Sequence, residues 1–169
     1  MFKFWTACAS GDIHSARRQL AQGADPNRPD LQKRTPVGLA LSGGHFQLVK
    51  LLVDRGADLN AKDGNFRTPI ERAVEAGLVK TIRFCIRSGF LDFHTPGSTD
   101  HDLLFIAVRC GHLALAKLLA AAGADLFTVD DWGTTLLHTA ASYGRIHVVR
   151  WLLHEGLDVN HAAPRAPLT

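Results

Sequence analysis

Histidine and carboxylate side chains are among the residues of this chain that could bind a metal ion or act in catalysis. Among the nine histidines, one group lies close to acidic residues and consists of His94, Asp100, His101 and Asp102. Its spacing fits no closed zinc site. His154-Glu155 lacks the second histidine of a metalloprotease helix. We therefore predict that no metal ion is bound.

The three cysteines are the next candidates for chemistry. Cys8, Cys85 and Cys110 lie far apart, so no disulfide framework or CxxC pair can be assigned, and free thiols are typical of a reducing, intracellular compartment. Cys110 stands beside Arg109, but a catalytic cysteine also needs a base, and the sequence marks none. No glycine-rich phosphate loop or nucleophile elbow is found. We predict a protein that is no enzyme and needs no cofactor.

Composition and charge limit the class of protein. Of 169 residues, 46 % are apolar and 21 % are charged, which is typical of one soluble globular domain. No stretch approaches the roughly 18 apolar residues of a membrane-spanning helix, and residues 1–10 lack the apolar run of a signal peptide. The net charge of +3 is too small for a nucleic-acid-binding arm and fits a partner with an acidic patch. We expect a cytoplasmic protein, with the nucleus as the alternative.

A tripeptide, Gly-Ala-Asp, recurs at a fixed period. It stands at residues 23–25, 56–58 and 123–125, and Gly89 and Gly156 fall at the two vacant places in the series. The steps between the five glycines are 33, 33, 34 and 33 residues. An alanine series has the same steps and comprises Ala7, Ala40, Ala73, Ala107 and Ala140. Such a period indicates a repeat protein.

Each period carries the signals of two short helices. In the second period, Thr35-Pro36 predicts a helix start, because threonine caps free amides and proline suits the first turn. A longer run of apolar residues at helical spacing follows and ends at Gly56, which permits a left-handed cap. Asp58 and Asn60 then form a turn. Stacked units would bury faces that one unit cannot bury alone, and the small alanines would let first helices approach closely.

These residues resemble the ankyrin repeat, whose signature is TPLHxAA, a glycine, a V-x-x-LL stretch and GADxN. The best matches are Thr35-Pro36, Thr68-Pro69-Ile70 and Leu136 to Ala141, with Val49 to Val53, Leu118-Leu119 and Val148 to Leu153 in the second helices. The resemblance covers about residues 2–160 and implies an all-α ankyrin-repeat solenoid of helix-loop-helix units joined by β-hairpin-like turns. It implies that His138 bonds the adjoining turn, and that His45 and His112 are local capping groups.

The period divides the chain into one domain of five repeats. We place the domain at residues 1–160 and the repeats at about 2–29, 30–62, 63–95, 96–129 and 130–161. The turn through Thr95-Pro96-Gly97-Ser98 is expected to be irregular, because the fourth repeat carries one extra residue. Residues 162–169 are a C-terminal tail or the truncated start of a sixth repeat. Three explanations stay open: the tail covers the last repeat, the natural chain continues, or that face meets a partner.

The resemblance also implies where a partner binds. In ankyrin proteins the hairpin tips and the inner face of the short helices form a concave surface. We predict a patch centred on Trp132 and Tyr143, because Trp, Tyr and Arg are enriched in binding hot spots. The other predicted contacts are Asp131, Thr134, Ser142, Arg109, His101 and Arg67. The alternative for Trp132 is a ring folded back onto the neighbouring hairpin.

The remaining tryptophans have other expected places. Trp5 replaces the family's usual histidine and is expected to shield the N-terminal end of the core. Trp151 lies on a second helix, at a position that is often half exposed.

The resemblance implies a non-catalytic protein-protein interaction module of the adaptor, inhibitor, effector or immunity type, monomeric or weakly self-associating. One alternative is a scaffold, as a fragment of a longer solenoid or through self-association at the C-terminal end. Another is weak binding of nucleic acid or acidic polymer through repeat three, whose basic residues are Arg67, Arg72, Lys80, Arg83 and Arg87. Asp63, Glu71 and Glu75 offset much of that charge, which argues against nucleic acid.

Overall fold

The computed structural model describes residues 2–91, 102–130 and 132–158, which form ten helices in two compact units. Unit 1, Met1–Phe90, contains α1 (Phe2–Ser10), α2 (Ile13–Ala21), α3 (Pro36–Ser42), α4 (Phe46–Asp54), α5 (Pro69–Glu75) and α6 (Val79–Arg87). Unit 2, Leu91–Thr169, contains α7 (Asp102–Cys110), α8 (Leu113–Ala121), α9 (Leu136–Ser142) and α10 (Ile146–His154). Apart from these helices, the described residues contain one isolated β-bridge, Val129 to Thr135. The predicted all-α class is confirmed.

The helices pack in pairs and then in rows. In unit 1, α1 packs on α2, α3 on α4 and α5 on α6, while α3 lies between α1 and α5. In unit 2, α7 packs on α8 and α9 on α10, and α7 contacts α9. The predicted helix-loop-helix units are therefore present. The division of the chain into five repeats with the boundaries given above stays a prediction.

The alanine series lies where the first helices meet. All five alanines are buried, at 4 % exposure or less: Ala7, Ala40, Ala73, Ala107 and Ala140. A methyl side chain lets two helix backbones approach closely, and larger residues around it fill the rest of the core. The second helices contribute Leu48, Val49, Leu52, Ile82, Leu115, Leu119 and Leu152, all fully buried. The prediction that the alanines are packing residues is confirmed.

Threonine caps start three of the first helices. Thr35 Oγ1 accepts the backbone N–H of Gly38 at 3.1 Å, ahead of α3. Thr68 forms a complete capping box, because Glu71 Oε2 in turn accepts the N–H of Thr68 at 2.9 Å. Thr135 Oγ1 accepts the N–H of His138 and lies 2.8 Å from its Nδ1, so His138 bonds the adjoining turn as expected. Each cap satisfies amides that the helix leaves unpaired.

The expectation that His45 and His112 are capping groups is wrong. Both stand at the N-cap position, of α4 and α8, but neither side chain caps the helix. The ring of His45 instead passes over Gly11, and its Nε2 donates to the carbonyl of Ala9 at 3.0 Å. A side chain at this position is long enough to reach the end of the preceding first helix, so it ties one helix pair to the next.

Two tryptophans are held by their indole N–H groups. Trp5 Nε1 donates to the carbonyl of Arg28 at 2.9 Å, so its ring closes over the chain that follows α2. Trp151 was expected to be half exposed, and this is wrong, since it is 8 % exposed. Its Nε1 donates to Glu155 Oε1 at 2.8 Å. A surface carboxylate one turn away satisfies the indole N–H and allows the ring to be buried.

The same tight turn precedes α3, α5 and α9. It occupies residues 30–34, 63–67 and 130–134, of which residue 131 lies outside the described part, and we call these three segments tip turns. Each begins with an aspartate whose carboxylate accepts the N–H groups of the residues two and four positions later. The fourth residue has a positive φ and is Lys33 (58°), Phe66 (59°) or Gly133 (76°). Only glycine adopts this conformation without steric cost.

Phe66 therefore occupies a position where glycine suits the backbone better. We expect Phe66→Gly to be more stable than Phe66→Ala by about 0.5 to 1 kcal/mol, because alanine keeps the left-handed strain and glycine removes it at some entropic cost. Urea denaturation of the two variants measures the difference. At Arg83, an exposed position within α6, the matched alanine and glycine variants should rank in the opposite order. If the Phe66→Ala and Phe66→Gly variants are equally stable, the backbone at residue 66 is not strained.

The predicted irregular turn at residues 95–98 and the end of the chain at residues 162–169 lie outside the described residues. The same is true of His94, Asp100 and His101 from the candidate metal cluster and of the side chain of Asp102.

Candidate functional site

The predicted binding residues are divided between the two units. Trp132, Thr134, Ser142, Tyr143 and Arg109 belong to unit 2, and Arg67 belongs to unit 1. Asp131 and His101 were also predicted to contact a partner, and both lie outside the described residues.

Trp132 projects from the third tip turn. Its backbone N–H donates to Asp130 Oδ1 at 3.0 Å, and the N–H of Thr134 donates to the same oxygen at 2.7 Å. These bonds fix the turn, yet the indole itself is 88 % exposed. A ring folded back onto a neighbouring hairpin would be largely covered, so this exposure favours the predicted partner contact, which stays a prediction. The fold thus holds the backbone of Trp132 firmly and leaves its side chain to solvent.

Tyr143 stands at the other end of α9. It is the C-cap residue of this helix, directly after the exposed Ser142, and its side chain is 54 % exposed. A helix of this length spans about 10 Å; Trp132 lies on the turn that precedes it, and Tyr143 ends it. Both combine a large apolar area with a polar group that can find a partner, which is the usual make-up of a hot-spot residue.

Arg109 lies on the last turn of α7, in the same unit. Its backbone carbonyl accepts a hydrogen bond of 2.8 Å from Arg145 Nε, whose side chain crosses Gly111. This repeats in unit 2 the link that His45 makes in unit 1. The Arg109 side chain is partly buried, so its accessible area is smaller than that of Tyr143.

Arg67 belongs to a groove of about 280 Å³ between α3 and α5 in unit 1. Its Nε lies 3.1 Å from Glu75 Oε1. Two further arginines at this groove are paired with the aspartates of the tip turns, Arg34 with Asp30 at 2.7 Å and Arg72 with Asp63 at 2.5 Å. The prediction that acidic residues offset the charge of repeat three is confirmed for Arg67 and Arg72.

Sequence reasoning missed Phe66, which is 80 % exposed. The signal was available, because Phe66 stands two residues before Thr68-Pro69 and aligns with Gly133 two residues before Thr135-Leu136. A large apolar residue at a glycine position of a turn has no role in a core. Leu31, in the tip turn before, is 85 % exposed.

The pKa values of the aspartates of the first two tip turns, Asp30 and Asp63, are lowered. Burial raises the pKa of Asp63, but hydrogen bonds from the Arg72 side chain and from the N–H groups of Asn65 and Arg67 outweigh it and leave the pKa below its ordinary value of 3.8. Asp30 has the same arrangement with Arg34, and its pKa is lowered too. A carboxylate with a depressed pKa stabilises the folded state above its ordinary pKa, and this contribution is lost as pH falls through the lowered value.

We expect Asp63→Asn to lose about 1 kcal/mol of stability at neutral pH, since the amide keeps the turn hydrogen bonds but loses the charge pair with Arg72. As pH falls from 3.8 through the lowered pKa of Asp63, wild type loses this contribution and the difference between the two proteins should shrink. Urea midpoints measured across the acid range test this. A gap that stays constant down to the acid unfolding transition would show that the ion pair does not carry the effect.

The thiols differ in accessibility. Cys8 and Cys85 are fully buried, and burial raises the pKa of each to about 12. Cys110 is partly exposed, and all three are free. Within the described ranges, no group of three His, Cys, Asp or Glu residues is arranged to hold a metal ion.

We expect one of the three thiols to react rapidly with a disulfide reagent in the native protein, because only the thiolate reacts and Cys8 and Cys85 are buried in their neutral form. Absorbance of the released thiol counts the reactive groups. Cys110→Ser should abolish the rapid phase, while denaturant should expose the other two thiols. A rapid phase that persists in Cys110→Ser would place a reactive thiol elsewhere.

Comparison with known proteins decides the family. A family model described as "Ankyrin repeats (3 copies)" matches residues 4–91 and 90–163. The chain belongs to the ankyrin-repeat family. Ankyrin repeats are in general protein-protein interaction modules and are typically non-catalytic, so the predicted fold and the general kind of function agree with the family.

Two relatives of this ankyrin-repeat chain are much longer than it is. It is 42 % identical to Potassium channel AKT1 of Arabidopsis thaliana over 141 residues, which cover 83 % of the chain and 16 % of the channel. It is 49 % identical to Ankyrin repeat domain-containing protein 29 of Homo sapiens over 57 residues, which cover 33 % of the chain and 19 % of that protein. The chain thus spans less than a fifth of either relative. No helix among the described residues has the length and apolar character needed to cross a membrane.

Proposed function

We propose that this ankyrin-repeat chain is a non-catalytic adaptor or inhibitor-type module that binds a partner protein through the α9 patch, defined as Trp132, Thr134, Ser142 and Tyr143. The observation that carries the proposal is the 88 % exposure of Trp132 on a turn whose backbone is fixed by Asp130. An exposed indole contributes nothing to the core, whereas its burial by a partner removes a large apolar area from water.

The rigidity of the turn supports this assignment. A side chain on a preformed backbone loses only its own rotamer freedom when a partner covers it, so little of the binding energy is spent on ordering. Tyr143 extends the patch along α9, and Arg109 on α7 of the same unit is its basic neighbour. We place Asp131 and His101 in the same surface from the repeat frame, and Arg67 as a separate contact in unit 1.

The competing functions have less support. Binding of nucleic acid through repeat three depends on many phosphate contacts, for which a net charge of +3 is small, and Glu75 and Asp63 offset part of the charge of Arg67 and Arg72. The free thiols fit a reducing, intracellular compartment. Ion conduction is not carried over from the potassium channel, since the chain covers 16 % of it. A scaffold role through self-association remains the alternative to a monomeric binding module.

The experiment is affinity capture from the native extract with wild type and with Trp132→Ala/Tyr143→Ala, quantified by mass spectrometry. We expect one protein to be retained by wild type and depleted by at least about tenfold on the double variant, because each aromatic hot spot contributes about 1 to 2 kcal/mol. Both residues are exposed, so the variant should unfold at the same temperature as wild type.

Ile146→Ala is the matched control, since this apolar residue of the neighbouring α10 is 62 % exposed. It should capture the same protein as wild type. Equal capture by all three baits would refute the α9 patch. Size-exclusion chromatography of the same baits over a range of concentrations tests the scaffold alternative, which requires a dimer that the double variant leaves intact.

A further inference from the structure

Unit 1 presents a second exposed surface on its two tip turns. Leu31 is 85 % exposed and Phe66 is 80 % exposed, and they stand on the turns before α3 and α5, two helices that pack together. The side chain of Lys33 lies against Gly64, so the two turns are in contact. We call Leu31, Lys33, Arg34, Phe66 and Arg67 the tip surface.

Phe66 is costly for the folded protein in two ways. Its backbone has a φ of 59°, which a side chain disfavours, and its ring is left in water. Neither cost is recovered by packing, because the ring is not part of the core. A strained backbone conformation that gains no packing in the folded protein indicates that the residue serves a function. Leu31 and Phe66 stand on two turns that are in contact, and a contiguous exposed apolar patch often marks a binding surface.

The charges of the tip surface are arranged with cations outward. Asp30 and Asp63 are drawn into their turns, and their side chains are 10 % and 11 % exposed. Their arginine partners, Arg34 and Arg72, are 52 % and 42 % exposed. Lys33 is exposed as well. The carboxylates are held by backbone N–H groups and partly neutralise the guanidinium groups, but the cations have the larger exposed area of each pair.

A groove runs from these turns between α3 and α5. Its volume is about 280 Å³, and its polar lining consists of three arginines, Arg34, Arg67 and Arg72, with Thr35, Ser42 and a single carboxylate, Asp63, while Leu39, Ala61 and Pro69 supply its apolar lining. Gly38 leaves room in this groove where a side chain would press on Thr35 Oγ1. A groove of this size accepts one or two side chains of a peptide.

We propose that the tip surface and this groove bind an acidic segment of a partner protein that carries one or more large apolar side chains. Leu31 and Phe66 would cover the apolar side chain, and the outward cations would attract the acidic residues and set their register. This proposal rests on the proposed function, since it assigns a second contact surface to the same protein-binding module. It favours protein over nucleic acid, because the aliphatic Leu31 gains from an apolar side chain of a partner but offers no ring on which a base can stack.

The test is selection of a random peptide library, displayed on phage, against the whole chain. We expect the enriched peptides to be rich in Asp and Glu and to carry Leu, Phe, Ile or Trp. One enriched peptide is then synthesised with a fluorescent label, and its dissociation constant is measured by anisotropy. Phe66→Gly should weaken binding about tenfold without lowering the melting temperature, because it removes the apolar contact and relieves the turn. Lys33→Glu should weaken it too.

Two matched controls make the outcome specific. Lys80→Glu changes the net charge as Lys33→Glu does, but at an exposed position of α6, and should leave the dissociation constant unchanged. Trp132→Ala should also leave it unchanged. The proposal is overturned by enrichment of neutral or basic peptides, by no enrichment, or by a peptide that Phe66→Gly binds as wild type does. Displacement of the peptide by single-stranded DNA that binds Phe66→Gly equally well would overturn it in favour of nucleic acid.

Failure of this proposal is distinguishable from failure of the proposed function. Loss of the captured protein with Trp132→Ala/Tyr143→Ala, together with no acidic peptide for the tip surface, would retain the α9 patch and remove the tip surface. If an acidic peptide binds in a way that depends on Phe66, and the double variant captures the same protein as wild type, the tip surface is retained and the α9 patch is rejected.

Discussion

The structure depends on burial between neighbouring helix pairs, because none of its helices can stand alone. The ten helices in the described residues have seven or nine residues each, and isolated helices shorter than about 12 residues are marginal in water. Their stability therefore comes from the faces that they bury against one another. Ala40 is the clearest case, because its methyl group is fully buried in α3, the helix that packs on both α1 and α5. A larger side chain there would press against the neighbouring helices and weaken several contacts at once.

This dependence on stacking decides what the turns must do. A turn has to return the chain to the same place at every pair, and the tip turns achieve this with one aspartate that accepts two backbone N–H groups. Once the backbone is fixed in this way, most side chains of the turn are not needed for the fold. Leu31, Phe66 and Trp132 occupy such positions and are all at least 80 % exposed. The protein can therefore change these residues with little effect on its core, and this freedom is what makes the turns suitable for recognition.

The sequence predicted the fold well because the fold depends on periodic features. The alanine series, the threonine caps at Thr35 and Thr68 and the turn at Asp58 follow from residue types at a fixed spacing, and the structure confirms them. Side-chain contacts and burial that depend on how neighbouring helix pairs meet were harder to predict. His45 was assigned to its own helix and in fact bonds Ala9. Trp151 was expected to be half exposed, but Glu155 satisfies its N–H and the ring is buried. Phe66 was missed although its alignment with Gly133 was visible in the sequence, and the positive φ of 59° shows what that alignment costs the backbone.

Buried residues determine the stability of this fold, whereas exposed turn residues are available for binding. The residue that is best for stability and the residue that is best for recognition can therefore differ at one position. At a buried position such as Ala40 the best residue for the fold is also the one found. At Phe66 the backbone favours glycine, so the residue found is one that the fold alone would not select. Natural proteins retain stability only to the extent that their function needs it, and a strained, exposed aromatic residue is therefore informative about binding. Trp132 is a different case, because a glycine, Gly133, stands at the left-handed position of its turn. The α9 patch thus carries an exposed aromatic residue without cost to the backbone, whereas the tip surface carries one at a cost that only an interaction can offset.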